Sequence, residues 1–184
     1  MNAPETAHHL GAAELQAGLE RIAQAPRDAG RVELVVRRPG VDRREVLEVG
    51  ELDPDGGLVG DRWIRGKRGR PPNPQLQLTL MAARVTDLVA GGERERWALA
   101  GDQLYVDLDL SEANLPAGTQ LRVGTATIEV SALPHTGCKK FVSRFGLPAM
   151  LFVNADAAAR LRGLNARVVE PGLVRPGDEI RKLP

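Results

Sequence analysis

A mainly β fold, an antiparallel β-barrel with peripheral helices, is what this 184-residue sequence predicts. Seven or eight short stretches have the β-branched or alternating composition of strands, and glycine-centred turns separate them. Long helical periodicities are few. The strands do not alternate regularly with helices, which argues against a doubly wound parallel sheet and for a closed or partly closed barrel. The expected organisation is a tail and amphipathic helix over residues 1–30, then one barrel domain over 31–184.

Residues 1–8 read as a loose tail. From 12 to 24, Leu15, Leu19 and Ile22 recur at helical spacing, and Pro26 ends the helix. Arg31 to Arg37 is rich in β-branched residues and predicts a strand. Pro39-Gly40 turns the chain, Glu45 to Val49 alternates as a second strand, and Asp53 to Gly57 is a tight turn. Residues 64–74 read as a long loop of Arg, Lys, Gly and Pro. Gln75 to Leu80 alternates polar and apolar as a strand, and Ala82 to Ala90 predicts a short helix closed by Gly91-Gly92. Leu104 to Leu108 is a further strand. Thr119 to Val123 and Thr127 to Ser131 form a hairpin around Gly124-Thr125. Short helices are expected near 138–145 and 149–162, with Pro148 suited to a first turn. Arg167 to Glu170 and Glu179 to Lys182 are the last strands, with Pro171-Gly172 and Pro176-Gly177 between them.

Bulk composition narrows the function classes. The net charge of +1 gives no reason to expect nucleic acid or an anionic membrane as partner. Aromatic residues are only 3% of the chain, so a single-strand nucleic-acid binder would lack stacking platforms. A single cysteine excludes an intramolecular disulfide framework and a cysteine-rich zinc site, and a free thiol fits the cytoplasm. No apolar run approaches the roughly 20 residues of a membrane span, and Met1 to His9 lacks the features of a signal peptide.

Three features could carry chemistry. Cys138 lies in Pro134-His135-Thr136-Gly137-Cys138-Lys139-Lys140-Phe141, a turn opening into a helix. Free backbone N–H groups, the helix dipole and two adjacent ammonium groups all favour thiolate there. The alternative is a buried, inert cysteine acting as a small hydrophobe. His135 is the one histidine outside the tail, but a cysteine hydrolase draws its partners from distant segments, so that class is disfavoured. The second feature is Arg62 to Arg70, where five of nine residues are cationic: an anion site or a solvated loop. The third is Gly101-Asp102-Gln103-Leu104, whose carboxylate and amide could bind a polar ligand or only cap a turn.

These pieces stand in one order with two more: Gly57-Leu58-Val59-Gly60-Asp61-Arg62, Gly101-Asp102-Gln103-Leu104, Gly118 to Gly124, the cysteine turn, and Gly172 to Asp178. The chain thereby resembles the MOSC domain, the C-terminal module of molybdenum cofactor sulfurases, from about residue 31 to 183. The resemblance implies a β-barrel with a site around Cys138, as molybdenum ligand in a pterin cofactor or as persulfide carrier. It implies a molybdenum cofactor-binding or sulfur-carrier protein, with a small-molecule substrate if it is the catalytic part of a reductase of N-hydroxylated compounds. Asp61 and Arg62 match the first family motif and Asp102 and Gln103 the second, and His135, Thr136, Lys139 and Lys140 around the cysteine are further candidate cofactor contacts. Arg62, Lys67, Arg68 and Arg144 are the cationic donors for a cofactor phosphate. Trp63 stands where the family commonly has a second basic residue, Gln103 replaces Asn, and His135-Thr136-Gly137 replaces an Arg-Ser-Pro-like run. These 184 residues are too few to hold the pyridoxal phosphate domain of the large sulfurases as well, and no iron–sulfur partner domain is expected within them. The implied protein partners are therefore an electron donor or a cysteine desulfurase. The competing function class is a non-catalytic barrel that binds an anionic ligand or a protein.

Overall fold

The fold is a seven-stranded barrel closed on itself, with a small three-stranded sheet outside it. The computed structural model describes residues 9–66 and 69–184, and the counts below refer to those. The strands are β1 (Ala29–Arg37), β2 (Glu45–Val46), β3 (Gly50–Asp53), β4 (Gly57–Leu58), β5 (Leu78–Ala82), β6 (Leu104–Asp107), β7 (Gln120–Val123), β8 (Ala126–Pro134), β9 (Leu164–Glu170), β10 (Gly172–Val174) and β11 (Glu179–Lys182). The helices are α1 (Ala12–Ala17), α2 (Leu19–Ala23), α3 (Ala83–Val89) and α4 (Lys139–Asn154). The barrel runs β11-β7-β8-β9-β5-β6-β1 and closes where β1 pairs with β11. Every neighbouring pair is antiparallel except β5–β6, which is parallel. The outer sheet is β10-β3-β4.

The mainly β barrel expected from the sequence is therefore present, and most strands fall where composition placed them. The nine-residue β1 pairs in turn with β11 at Ala29 to Arg31, with β6 from Arg31 to Val35, and with β2 at Val36 and Arg37. A register shift between Val32 and Leu34 bends it between partners. The expected strand over 75–80 is displaced. Pro74–Leu76 is a 3₁₀ turn, and β5 is buried at all five positions instead of alternating, because α3 packs on its outer side. The single N-terminal helix is two short helices, α1 and α2, broken at Gly18. The tail expected over 1–8 lies outside the described residues.

Leucine and valine fill the interior, as the scarcity of aromatics requires. The few aromatic residues are nonetheless concentrated there: Trp97, Tyr105, Phe141, Phe145 and Phe152 are all buried. Helix α4 opens directly after Cys138, as the turn-to-helix reading predicts, and Cys138 is its N-cap in extended backbone. The helix is interrupted at Gly146, whose φ of 87° lies in the left-handed region, and Pro148 opens its second half. It ends at Asn154 and does not extend to 162. His9 packs against Gly146, where a β-carbon would sit 3.0 Å from its Nδ1.

Closure of the barrel leaves no room at Gly30. A β-carbon there would fall 1.9 Å from the carbonyl oxygen of Asp107, on the neighbouring strand β6. Gly30→Ala should therefore destabilise the fold by about 1–3 kcal/mol through forced separation of β1 from β6. The measurement is a denaturant midpoint. An unchanged midpoint would mean that the two strands are free to part.

Candidate functional site

One end of the barrel gathers the motif residues around a buried carboxylate. Asp102 follows the 3₁₀ segment Arg94–Ala100, which Gly101 terminates in left-handed backbone, and its side chain is fully buried. Its Oδ2 accepts from Arg162 Nη1 at 2.7 Å, and its Oδ1 lies 2.8 Å from His135 Nε2. Arg162 also donates to the carbonyl of Ala100 and stacks 5.1 Å over the Phe141 ring, so that the first turn of α4 is tied to the same cluster. The backbone N–H of Asp102 donates to the Tyr105 hydroxyl.

The electrostatics follow from that geometry. Burial alone would raise the carboxyl of Asp102, but Arg162 and His135 outweigh it and hold the group well below the usual carboxylate range. Burial and the adjacent negative charge push the Tyr105 phenol up. His135 moves down: burial and the Arg162 charge disfavour the imidazolium more than Asp102 favours it. With Asp102 ionised, Nε2 of a neutral His135 carries the hydrogen and donates it, which leaves Nδ1 as the acceptor.

Arg38 joins a second motif to this one. It donates from its backbone N–H, Nε and Nη2 to the carboxylate of Asp61, and from Nη1 to the carbonyl of Gly101 at 2.8 Å. Asp61 is buried and also caps the 3₁₀ turn Arg62–Arg65 by accepting from Trp63 N–H. Two further guanidinium groups converge on Gly101, where a β-carbon would meet Arg144 Nη1 at 3.7 Å and Arg44 Nη2 at 3.8 Å. Arg144, on α4, is satisfied by the Leu99 carbonyl and by Asp42. Arg44 is not: its Nε is buried with no hydrogen-bond partner. Desolvation and the neighbouring Arg144 charge both push the Arg44 guanidinium down.

The remaining expected residues are placed as follows. Cys138 is exposed at the start of α4. The preceding turn is pinned by Gly137 N–H donating to Asn154 Oδ1 at the far end of that helix. Thr136 and Lys139 are exposed, and Lys140 is engaged by the carboxylate of Asp42 at 2.9 Å. Gln103 points into the barrel wall: its side-chain oxygen accepts from both the N–H and the hydroxyl of Thr79, and its amide donates to Gln77. Arg62 is half-buried, and Lys67 and Arg68 lie outside the described residues. Among the described residues, no hydrogen bond or ion pair joins the side chains of Arg62, Arg65 or Arg70 to the cluster around Asp102. The cationic group that does converge there, Arg38, Arg44, Arg144 and Arg162, escaped the sequence reading except for Arg144. Only the Arg43-Arg44 pair after the Pro39-Gly40 turn could have hinted at it.

The family model for the MOSC domain matches residues 78–181, more than half of the sequence. The chain belongs to the MOSC domain family. The match takes in the Gly101, Gly118, Cys138 and Gly172 motifs and leaves the Asp61 motif outside. The structure is similar to that of the YuaD protein from Bacillus subtilis, with TM-score 0.61, 18% identity, and coverage of 83% of this chain and 94% of that one. It is also similar to YiiM from Escherichia coli (TM-score 0.54, 23% identity, 84% of this chain and 70% of that one). YiiM from Geobacillus stearothermophilus gives a TM-score of 0.51 at 14% identity, over 84% of this chain and 73% of that one. At such identities the likeness is one of fold. No curated protein matches the sequence significantly.

The lowered His135 makes stability depend on pH with a definite sign. Below about pH 6.5 an unfolded histidine takes a proton that the folded protein resists, so folding stability falls as pH falls through that value. Urea midpoints at pH 7.5 and 5.5 should differ in the parent protein, and the difference should shrink in His135→Gln. Equal pH dependence in the two would show that His135 does not carry it.

Proposed function

We propose that this protein binds a molybdenum cofactor, with Cys138 as the metal ligand and the arginines around Gly101 as the phosphate-binding set. Arg44 carries the reading. A half-buried guanidinium with an orphaned Nε, set beside two others, is unfavourable unless an anion joins it. A pterin cofactor has a hard anionic phosphate and a soft metal, and this end of the barrel has hard cations and an exposed soft thiol. The two features share α4, with Cys138 at its start and Arg144 two turns further on.

In this reading the protein's own residues divide the work. Arg44 and Arg144 neutralise phosphate charge, while Arg38 is held in place by Asp61. Asp42 spaces Lys140 from Arg144, because it binds both. The Asp102–Arg162 pair fixes the strand end next to them. When bound, the cofactor supplies a redox-active metal for the reduction of N-hydroxylated compounds, and a separate protein supplies the electrons. The exposed thiol also favours a second reading, in which Cys138 accepts sulfur from a cysteine desulfurase and carries it as a persulfide.

Metal analysis of protein made in cofactor-producing cells tests the first reading. It expects about one molybdenum per chain, lost in Cys138→Ala. A metal-free protein that gains one sulfur atom by mass, dependent on Cys138, would replace it with the carrier. Arg44→Met provides an independent check. It should raise the stability of the ligand-free protein by a few tenths to about 1 kcal/mol, since the charge removed is strained but partly solvated. The same variant should weaken binding of inorganic phosphate by about 1.5–3 kcal/mol. Loss of stability instead would mark Arg44 as a structural residue.

A further inference from the structure

The turn before Cys138 also lines a cleft of about 170 Å³ that the cofactor reading does not use. Its walls are the end of β8 and the turn after it (Ser131 to Thr136), the C-terminal turn of α4 with the segment after it (Val153 to Ala157, Arg160), Gly163-Leu164, and Glu112. The size suits a single ring, since a cavity of about 150 Å³ takes a benzene-sized molecule. Leu133, Pro134, Val153 and Leu164 give it apolar surface.

We propose that this cleft binds a small neutral or cationic molecule of one ring bearing N–H donors, and that His135 is its hydrogen-bond acceptor. The Asp102–His135 contact fixes which nitrogen is available. Asp102 takes the Nε2 hydrogen at 2.8 Å and is itself locked by Arg162 at 2.7 Å. Nδ1 keeps its lone pair, and among the described residues no hydrogen bond reaches it. The imidazole is 18% exposed and forms part of the cleft wall. Ser131, in the same wall, has a buried hydroxyl without a partner. Such a group is satisfied when a bound molecule orders the site.

Charge selects the class of molecule. Glu112 and Asp156 carry two negative charges against the one positive charge of Arg160, whose Nη1 already serves the Leu115 carbonyl. Asp156 Oδ1 accepts from the backbone of Ala158 and Ala159. The cleft thus prefers donors and cations, opposite in sign to the arginine set at Gly101. The groups bearing on His135 are Asp102, Arg162 and Arg38 from the barrel, with Glu112, Asp156 and Arg160 from the cleft. Burial, with the Arg162 and Arg38 charges, disfavours the imidazolium more than Asp102 favours it, so the acceptor form prevails at neutral pH.

The test is an NMR titration of the ¹⁵N-labelled full chain with benzamidine and with benzoate, which share a ring and differ in donors and charge. At pH 7.5, benzamidine should shift the amides of Ser131, Thr136, Asn154 and Gly163, with at least tenfold tighter binding than benzoate. His135→Gln, which keeps a donor for Asp102, should bind fivefold more weakly at pH 7.5. Glu112→Gln, at an exposed position tolerant of change, should cost at least threefold. Equal binding of benzoate, shifts mapping elsewhere, or unaltered affinity in Glu112→Gln and His135→Gln would each overturn the proposal. Cys138→Ala should bind benzamidine as the parent does, so failure of the cofactor reading leaves this result untouched.

Discussion

Asp102 is a carboxylate kept ionised where no water reaches it, and the site end of the barrel is arranged around that fact. Arg162 and His135 come from two distant segments to meet it, and the backbone N–H of the same residue donates to the Tyr105 hydroxyl. A buried ion pair contributes little net stability, but removing one partner leaves an uncompensated charge that costs several kcal/mol. These residues are therefore constrained as a set. Their value is positional: they hold the end of β8, the approach to β9 and the start of β6 in one register. The cysteine turn departs from that platform.

Two electrostatic environments adjoin the ends of the segment that carries Cys138. Toward α4 the chain presents guanidinium and ammonium groups, with Asp42 spacing them. Toward β8 it presents a neutral imidazole, a hydroxyl and carboxylates. The break at Gly146 bears on this arrangement too. It lets the two halves of α4 take different directions, so that Arg144 can reach Leu99 while Asn154 returns to clasp the turn at Gly137.

Much of this was readable in the sequence where a local signal existed. The Pro134 to Phe141 stretch announced both its turn and its helix, and β1, β6, β7 and β11 followed their composition. Four of the five ordered motifs that resemble the MOSC domain fall within the span the family model matches, and the Asp61 motif lies before it. What was missed had no local signature. Strands β3, β4 and β10 are too short and glycine-rich for a period of two to show. The alternation read in Gln75 to Leu80 was overridden by burial of both faces of β5. Arg38, Arg44 and Arg162 lie far apart in sequence, and an arginine on its own does not announce the carbonyl or carboxylate it will meet. Gln103 looked like a ligand contact because its amide chemistry is visible, whereas the Thr79 groups that occupy it are not.

The one parallel pair, β5 with β6, is a matter of parity. Around a closed ring of strands, direction can reverse at every step only if the number of strands is even. Seven is odd, so one neighbour pair must run the same way, and the chain must travel back outside the barrel to start its second member from the same end. That return is the stretch from Ala83 to Gln103. It is why Gly101 and Asp102 arrive at the barrel's rim as the end of a long detour and not in a tight hairpin. An eighth strand would remove the need for the detour, and with it the segment that delivers the buried carboxylate to the site.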